Sequence, residues 1–341
     1  MKPDGSKLKV AVVGATGYAG GEIVRLLAAH PLAEVTTATS ERNDGVPLQE
    51  QCPWIATDLV LRRFDPDAIE ADFVFLCQEA GFAMNHAATL TKKAKVIDMS
   101  ADFRLKSADE YEAWYKRKHT CPELLPTAVF GMTELVPVSE IAGARLLANP
   151  GCYPTSACIP LAPLVRAGLV EGTPIVDAKS GVSGAGRSKT DSYYTFSELS
   201  GTFQSYGVVG HRHTPEIEQT VGCRVRFVPH LAPMARGIHT TIHLRLKPGV
   251  GAAQVAELWQ ETYRGRRFVR VQEKGLPSTK QVLGSNRCDV AVQFDERTGF
   301  ATLLSVIDNM VKGAAGQAIQ NMNVMAGLPE ETGLPLNGVW P

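Results

Sequence analysis

Apolar and polar positions alternate in short blocks along the first hundred residues. Leu8–Val13, "LKVAVV", is an apolar run of strand length. The loop "GATGYAGG" follows, and then Ile23, Val24, Leu26 and Leu27 recur at helical spacing until Pro31 closes the segment. Ala33–Thr39, "AEVTTAT", is rich in β-branched residues and predicts a second strand. Strand, glycine loop, helix and strand within about 30 residues is the size of one βαβ unit. The pattern goes on with predicted strands over 58–64, 72–77 and 95–100 and a predicted helix over 81–94. Alternation of this kind predicts a parallel sheet covered by helices on both faces.

The pattern changes after Cys152. The segments "TPIVDAKS", "CRVRFVPH", "GIHTTIHLRL", "CDVAVQF" and "ATLLSVI" read as strands, with one long helix predicted over 253–263. The turn "DERTG" joins the last two strands as a hairpin. The expected fold class is therefore α/β: a Rossmann-type parallel sheet domain plus an α+β domain with a mostly antiparallel sheet. A closing helix is predicted over 312–326. No internal repeat is present.

At 341 residues the chain has room for two cores. Lys+Arg and Asp+Glu balance at 35 each, with no basic run, so neither nucleic acid nor an anionic membrane is an expected partner. The polar start "MKPDGSKLKV" lacks the apolar stretch of a secretory signal, and no apolar run reaches bilayer length, so the expected location is cytoplasmic. Seven cysteines at irregular spacings, without a CxxC, indicate neither a disulfide framework nor a zinc site, and no metal is expected.

Gly14, Gly17 and Gly20 form GxxGxxG where a strand passes into a helix. Glycines there permit the turn and let backbone N–H groups approach a pyrophosphate at the positive end of the helix. The end of the second strand carries "TSERND". Ser40 and Arg42 suit a 2′-phosphate and favour NADP(H); Glu41 is the competing signal for NAD.

The stretch "NPGCYPT" places Cys152 at the start of a predicted helix, with Pro154 in its first turn. Helix dipole and free N–H groups stabilise a thiolate there. Cys152 reads either as a nucleophile or as core. Cys158 lies roughly 120° around the helix and reads as core. "GHRHTPEIEQ" offers His211 and His213, with Glu216 one turn into a helix, as proton partners. "SADFR" follows a parallel strand, and Arg104 there suits a phosphate or carboxylate. "KSGVSGAGR" is a second glycine-rich loop after a strand, readable as a neighbour of the nicotinamide or as a plain connection.

A dinucleotide and a thiol together point to reduction of an activated acyl group through a thioester. The chain resembles the N-acetyl-gamma-glutamyl-phosphate reductase family of arginine biosynthesis, related to aspartate-semialdehyde dehydrogenase. The resemblance rests on "GATGYAG", "SADFRL", "NPGCYPT", "KSGVSGAGR", "GHRHTPEI" and "VKGAAGQAIQNMN", in that order. It implies NADPH-dependent reduction of a small-molecule acyl phosphate, N-acetyl-L-glutamyl 5-phosphate, with Cys152 as nucleophile and His211 as acid/base. Arg104, Ser100, Asn149, His213 and Glu216 would face the substrate. Gly14, Thr16, Gly17, Tyr18, Gly20, Ser40, Arg42, Ser180, Gly181, Gly184, Asn309 and Gly313 would line the cofactor. Residues 1–150 and 312–341 would form the dinucleotide-binding domain and 151–311 the catalytic and oligomerisation domain of a homodimer or homotetramer. Two other readings stay open: a lysine-pathway reductase acting on a carrier-bound aminoadipyl phosphate, and a non-catalytic NADP-binding regulator.

Overall fold

A computed structural model of the protein describes all residues except 1–4, 190, 192, 193 and 341. The chain forms two compact units. The first runs up to Pro150 and also takes Gly186–Ser188 and Ala314–Leu334; the second takes the rest. The chain thus re-enters the first unit at Ala314, where 312 was expected. The segment from Pro335 on belongs with the second unit instead of the first. Backbone hydrogen bonds explain this: Asn286 N donates to Pro335 O at 2.8 Å and Val339 N to Leu283 O at 2.7 Å.

In the first unit, strands β1 (Leu8–Val13), β2 (Ala33–Thr39), β3 (Phe73–Leu76), β4 (Lys95–Asp98), β5 (Val129–Phe130) and β6 (Leu146–Ala148) form one sheet of order β2-β1-β3-β4-β6-β5. Every pairing in it is parallel. Helices α1 (Tyr18–Ala28), α2 (Leu48–Gln51), α3 (Phe82–Leu90), α4 (Ala108–Tyr115) and α5 (Val138–Gly143) connect the strands. All four residues of β3 are buried, as a strand covered on both faces requires. The order reverses at β1, with β2 on one side and β3 on the other, so the carboxyl end of β1 is the topological switch point where such sheets bind ligands. The segment 58–64 is not a strand. It makes only isolated bridges, Thr39 to Arg62 and Pro47 to Val60, because Arg62 and Arg63 are exposed and offer no buried face.

The second unit is built on α6 (Cys152–Arg166) and a seven-stranded sheet. Its strands are β7 (Val170–Ser180), β8 (Gln204–Ser205), β9 (Arg226–Leu231), β10 (Ile238–Leu246), β11 (Val269–Val271), β12 (Cys288–Asp295) and β13 (Phe300–Ile307), in the order β11-β12-β13-β10-β7-β9-β8. Two pairings are parallel, β11 with β12 and β7 with β9; the others are antiparallel. Helices α7 (Phe196–Leu199), α8 (Thr214–Val221), α9 (Ala252–Thr262) and α10 (Thr279–Val282) complete it. In β10 the buried positions alternate, Ile238, Thr240, Ile242, Leu244 and Leu246, which is the period of a half-buried strand.

Helix α6 is buried from Tyr153 to Leu164 although it contains Pro154, Pro160 and Pro163. A proline within a helix removes the N–H that would bond the carbonyl four residues earlier. The Ile159 carbonyl freed by Pro163 accepts instead from the Tyr263 hydroxyl. The Pro160 carbonyl accepts from Trp259 Nε1 at 2.9 Å. Each such bond contributes about 1 kcal/mol; the one from Tyr263, just beyond the end of α9, answers a carbonyl that a proline leaves open, and the one from Trp259 adds a second tie between the two helices.

A π-helical turn, Val311–Ala315, leads into α11 (Gly316–Met325) of the first unit. Every residue of α11 is buried, including Gln317, Gln320, Asn321 and Asn323. Asn321 Nδ2 donates to Gly131 O at 2.7 Å and its Oδ1 accepts from the Thr133 hydroxyl at 2.8 Å. Gln317 Nε2 donates to the same hydroxyl at 2.8 Å, and Gln320 Nε2 to Glu134 Oε1 at 2.9 Å. These bonds offset much of the penalty of burying the amides, although Gln317 Oε1 is left without a partner among the described residues.

Candidate active site

The glycine loop closes the end of β1. Gly14 has φ +87°, a left-handed conformation that only glycine adopts without strain. A Cβ at Gly14 would lie 2.8 Å from the Cys77 carbonyl, and one at Gly20 would fall on the Gly14 carbonyl itself. The loop is tied to β2: Gly14 N and Ala15 N donate to Thr39 O at 3.2 and 3.0 Å. Helix α1 starts at Tyr18 behind Gly17, with no side-chain cap and no acidic residue in its first turn. Uncapped N–H groups, the positive helix end and a floor without side chains fit the pyrophosphate of a dinucleotide.

Ser40 is buried at the end of β2. Its hydroxyl lies 3.5 Å from that of Thr16 and accepts from Asn43 Nδ2 at 3.1 Å. Arg42 is exposed. Two basic groups not expected at the cofactor join this region. The bridge to Thr39 brings exposed Arg62 alongside β2. Arg187, from the second glycine-rich loop, belongs to the first unit. Its Nη1 donates to Thr16 O at 3.0 Å and Gln51 O at 3.1 Å, and its guanidinium lies 5.8 Å from the Trp54 ring centre.

The residues expected to face substrate from the first unit are buried, each with hydrogen bonds inside that unit. Ser100 is buried; its hydroxyl accepts from Asp102 N at 3.2 Å and its own N–H donates to Asp98 Oδ1 at 2.8 Å. Arg104 is buried, and its Nη2 donates to Met99 O at 2.8 Å. Asn149 is fully buried, its Oδ1 accepting from Asn321 Nδ2 at 3.2 Å and its Nδ2 donating to Ala314 O at 3.2 Å. These bonds brace the strand ends that lead to the thiol. Burial, and then the neighbouring Asp102, push the Asp98 carboxyl above the usual range.

In the second unit, Gly151 is the N-cap of α6 and Cys152 its first residue. A nucleophile there meets unsatisfied backbone N–H groups and the positive helix end. The fit around it is close: a Cβ at Gly313 would lie 2.8 Å from the Cys152 Cβ. The Cys152 side chain is partly exposed, whereas Cys158 is fully buried, and burial pushes its thiol well up.

Tyr153, next along α6, packs its ring 5.5 Å from that of His211 and 5.9 Å from that of His213. Phe227 and Tyr206 wall His211 at 5.3 and 5.4 Å. Burial, and then Arg212, lower the His211 pKa to about 4, so the ring is neutral at pH 7. Its Nδ1 accepts from His213 N at 3.1 Å. With Nδ1 used as acceptor, the neutral ring carries its proton on Nε2. Glu216 is fully buried on α8, and its Oε1 accepts from Gly151 N at 2.6 Å. It was expected to face substrate; the spacing within "HTPEI" holds no sign of a bond to a residue 65 positions away.

The second glycine-rich loop gathers at the end of β7. Gly181 N donates to Gly237 O at 2.8 Å, and a Cβ at Gly181 would lie 2.8 Å from the Ala235 carbonyl. Asn309 joins the pieces, accepting from Gly237 N at 2.7 Å and donating to Ser183 Oγ at 2.9 Å. Gly184 sits beside Ser180 and Asn309, at 3.5 and 3.6 Å from a built Cβ. Ser180, Gly181, Gly184 and Asn309 therefore form one cluster in the second unit.

Comparison with known proteins shows the family. Residues 9–143 match the semialdehyde dehydrogenase NAD binding domain, and residues 152–309 the semialdehyde dehydrogenase dimerisation domain. An N-acetyl-gamma-glutamyl-phosphate reductase of Symbiobacterium thermophilum is 49% identical, over 96% of this chain and 97% of its own. One from Desulforamulus reducens is 48% identical, over 98% and 100%. A rice protein, "Probable N-acetyl-gamma-glutamyl-phosphate reductase, chloroplastic", is 43% identical over 99% of this chain and 83% of its own. Among solved structures, aspartate semialdehyde dehydrogenase II of Vibrio cholerae superposes with a TM-score of 0.71 at 17% identity, covering 94% of this chain and 99% of its own, which speaks for the fold alone. With both domains matched and relatives this similar along nearly its whole length, the chain belongs to the N-acetyl-gamma-glutamyl-phosphate reductase family of the semialdehyde dehydrogenases.

Proposed function

We propose that this protein reduces N-acetyl-L-glutamyl 5-phosphate to N-acetyl-L-glutamate 5-semialdehyde with NADPH, releasing phosphate, in the arginine biosynthesis of the cytoplasm. The observation that carries the mechanism is the place of Cys152: first residue of a long helix, partly exposed, and pressed against a glycine. Its thiolate attacks the acyl carbon, the bond from that carbon to the phosphate oxygen breaks, and phosphate leaves a thioester on Sγ. When bound, NADPH supplies the hydride that reduces this acyl group; the glycine loop with Thr16, Tyr18, Ser40 and Arg42 would hold it.

The protein's own groups manage charge. Negative charge grows on the acyl oxygen at each addition to the carbon. His211 enters as a neutral ring, and Nε2 is its donor atom for that oxygen, because Nδ1 is occupied by the His213 N–H. This assigns His211 as a hydrogen-bond donor first, where the sequence motif suggests a proton shuttle. Tyr153, Tyr206 and Phe227 keep water from the ring and so keep it neutral. We further infer a homodimer or homotetramer formed through the second unit, whose matched family is described as a dimerisation domain. Among the described residues no helix is long and apolar enough to cross a membrane.

The test is the reverse reaction: purified protein, NADP, phosphate or arsenate, and either N-acetylglutamate semialdehyde or aspartate semialdehyde. Faster oxidation of the acetylated substrate is expected. Activity on aspartate semialdehyde alone, or dinucleotide binding without turnover on either, would remove the assignment.

A further inference from the structure

The Gly151–Cys152 turn is held by something its own helix cannot supply. The cap residue is a glycine, so α6 has no side-chain cap. Pro150 has no N–H, and Pro154 removes another donor from the first turn. The bond on this turn comes from α8, where Glu216, fully buried, takes the Gly151 N–H at 2.6 Å. A carboxylate at a helix N-terminus is stabilised by the same partial positive charge that would stabilise a thiolate at Cys152. Two anions at one pole oppose each other.

We propose that Glu216 is a positioning residue for the nucleophile: its carboxylate fixes the turn that presents Cys152 and its charge biases that side chain toward the thiol. Cys158 lies directly against α8, its Sγ 3.9 Å from Ile217 O, and its thiol is pushed up by burial first and by Glu216 second. Other ionisable groups near these side chains are Tyr153 and Cys158 on α6, Tyr206, His211, Arg212 and His213 ahead of α8, Cys223 after it, and Asp308 and Lys312 beside Gly313. Tyr153 and His211 are neutral at pH 7, the first raised and the second lowered by burial. Replacing Glu216 by Gln keeps an acceptor oxygen for Gly151, removes the charge and turns the other oxygen into an NH2 donor.

The catalytic meaning rests on Cys152 being the nucleophile, but the test needs no turnover. Full-length wild type, Glu216→Gln and Glu216→Asp are alkylated with iodoacetamide from pH 5 to 10, and the Cys152 peptide is followed by mass spectrometry. In Glu216→Gln the midpoint of the rate profile should fall by roughly one pH unit, the low end for a nearby charge. Because a more acidic thiolate is less nucleophilic, the rate at a fixed pH below the midpoint should rise only about threefold. Glu216→Asp keeps the charge and should keep a midpoint near wild type. An unchanged or higher midpoint in a folded Glu216→Gln overturns the proposal; a merely structural role predicts lost stability with no such shift. If that variant does not fold, deuterium exchange in the wild type decides: the Gly151 amide must exchange slowly, and exchange at the rate of an unstructured amide overturns the proposal.

Discussion

Replacing Gly313 by Ala perturbs the nucleophile with a single methyl group. An ideal Cβ at that position lies 2.8 Å from the Cys152 Cβ, 3.3 Å from its Cα and 3.2 Å from Ile307 Cδ1. Carbon atoms in contact prefer about 3.5–4.0 Å, so the overlap with Cys152 is close to ~1 Å. Ile307 can turn its terminal methyl aside, but the Cys152 Cβ is fixed by the first turn of α6. Gly313 is itself held, its N–H donating to Asp308 O at 3.0 Å. Gly313 is not among the positive-φ glycines, so alanine adds no backbone strain there. Overpacking costs about 1–3 kcal/mol; the stiffer unfolded chain returns up to about 1 kcal/mol. The net is a loss of roughly 1–2 kcal/mol, or a Tm lower by about 2–8 °C. The larger effect is on chemistry. A nucleophile displaced by a fraction of an ångström to 1 Å costs about 10²-fold in kcat. Steady-state kinetics, a Cys152 alkylation rate and a thermal melt read the three quantities. A variant with wild-type kcat and alkylation rate and an equal or higher Tm would refute so tight a contact between Gly313 and Cys152.

Three further outcomes follow from the same geometry. Cys152→Ser should lose at least about 10³-fold in phosphate-releasing reduction while NADPH titration by fluorescence stays at the wild-type Kd; turnover at the wild-type rate would remove the covalent route. Gly20→Ala places its methyl on the Gly14 carbonyl, so NADPH Kd should rise at least tenfold, about 1.4 kcal/mol, with Cys152 alkylation intact; unchanged Kd contradicts a loop that needs that glycine. Acid should destabilise the fold through His211, whose pKa is lowered to about 4 in the folded chain from 6.5. The unfolded chain binds the proton first, so stability is retained above pH 6.5 and lost as pH falls toward 4, by up to roughly 1 kcal/mol per pH unit. Urea midpoints at pH 7, 5.5 and 4.5 should show this slope, flattened in His211→Asn; equal slopes would exclude it.

Much of the first unit is legible in the sequence because its signals are local. The strand, glycine loop and helix over residues 8–28 carry their periodicity within one window, and Cys152 announces its helix through Pro-Gly before it and Pro154 after it. Strands β5, β6 and β8, of two or three residues, are too short for any period to register. The segment 58–64 reads as a strand by composition, yet its two exposed arginines leave it only bridges. Helix α11 is the larger lesson. Gln317, Gln320 and Asn321 look like a polar face, but their partners at 131, 133, 134 and 149 bury them, and pairing across such a distance has no sequence pattern. Asn149 and Glu216 show the same limit: the bonds of Asn149 with Asn321 and Ala314 O, and of Glu216 with Gly151 N, span distances that have no sequence pattern.

The placement of α11 has a consequence for synthesis on the ribosome. When Pro150 has been made, all six strands of the parallel sheet exist, but the helix that satisfies Gly131, Thr133 and Asn149 does not. It is translated only after the whole stretch 151–313, roughly 10–30 s later at about 5–20 residues per second. Through that interval the nascent amino-terminal segment holds a bare groove with unanswered amides. A truncated chain ending at 150 should therefore be recovered as an aggregate or bound to a chaperone.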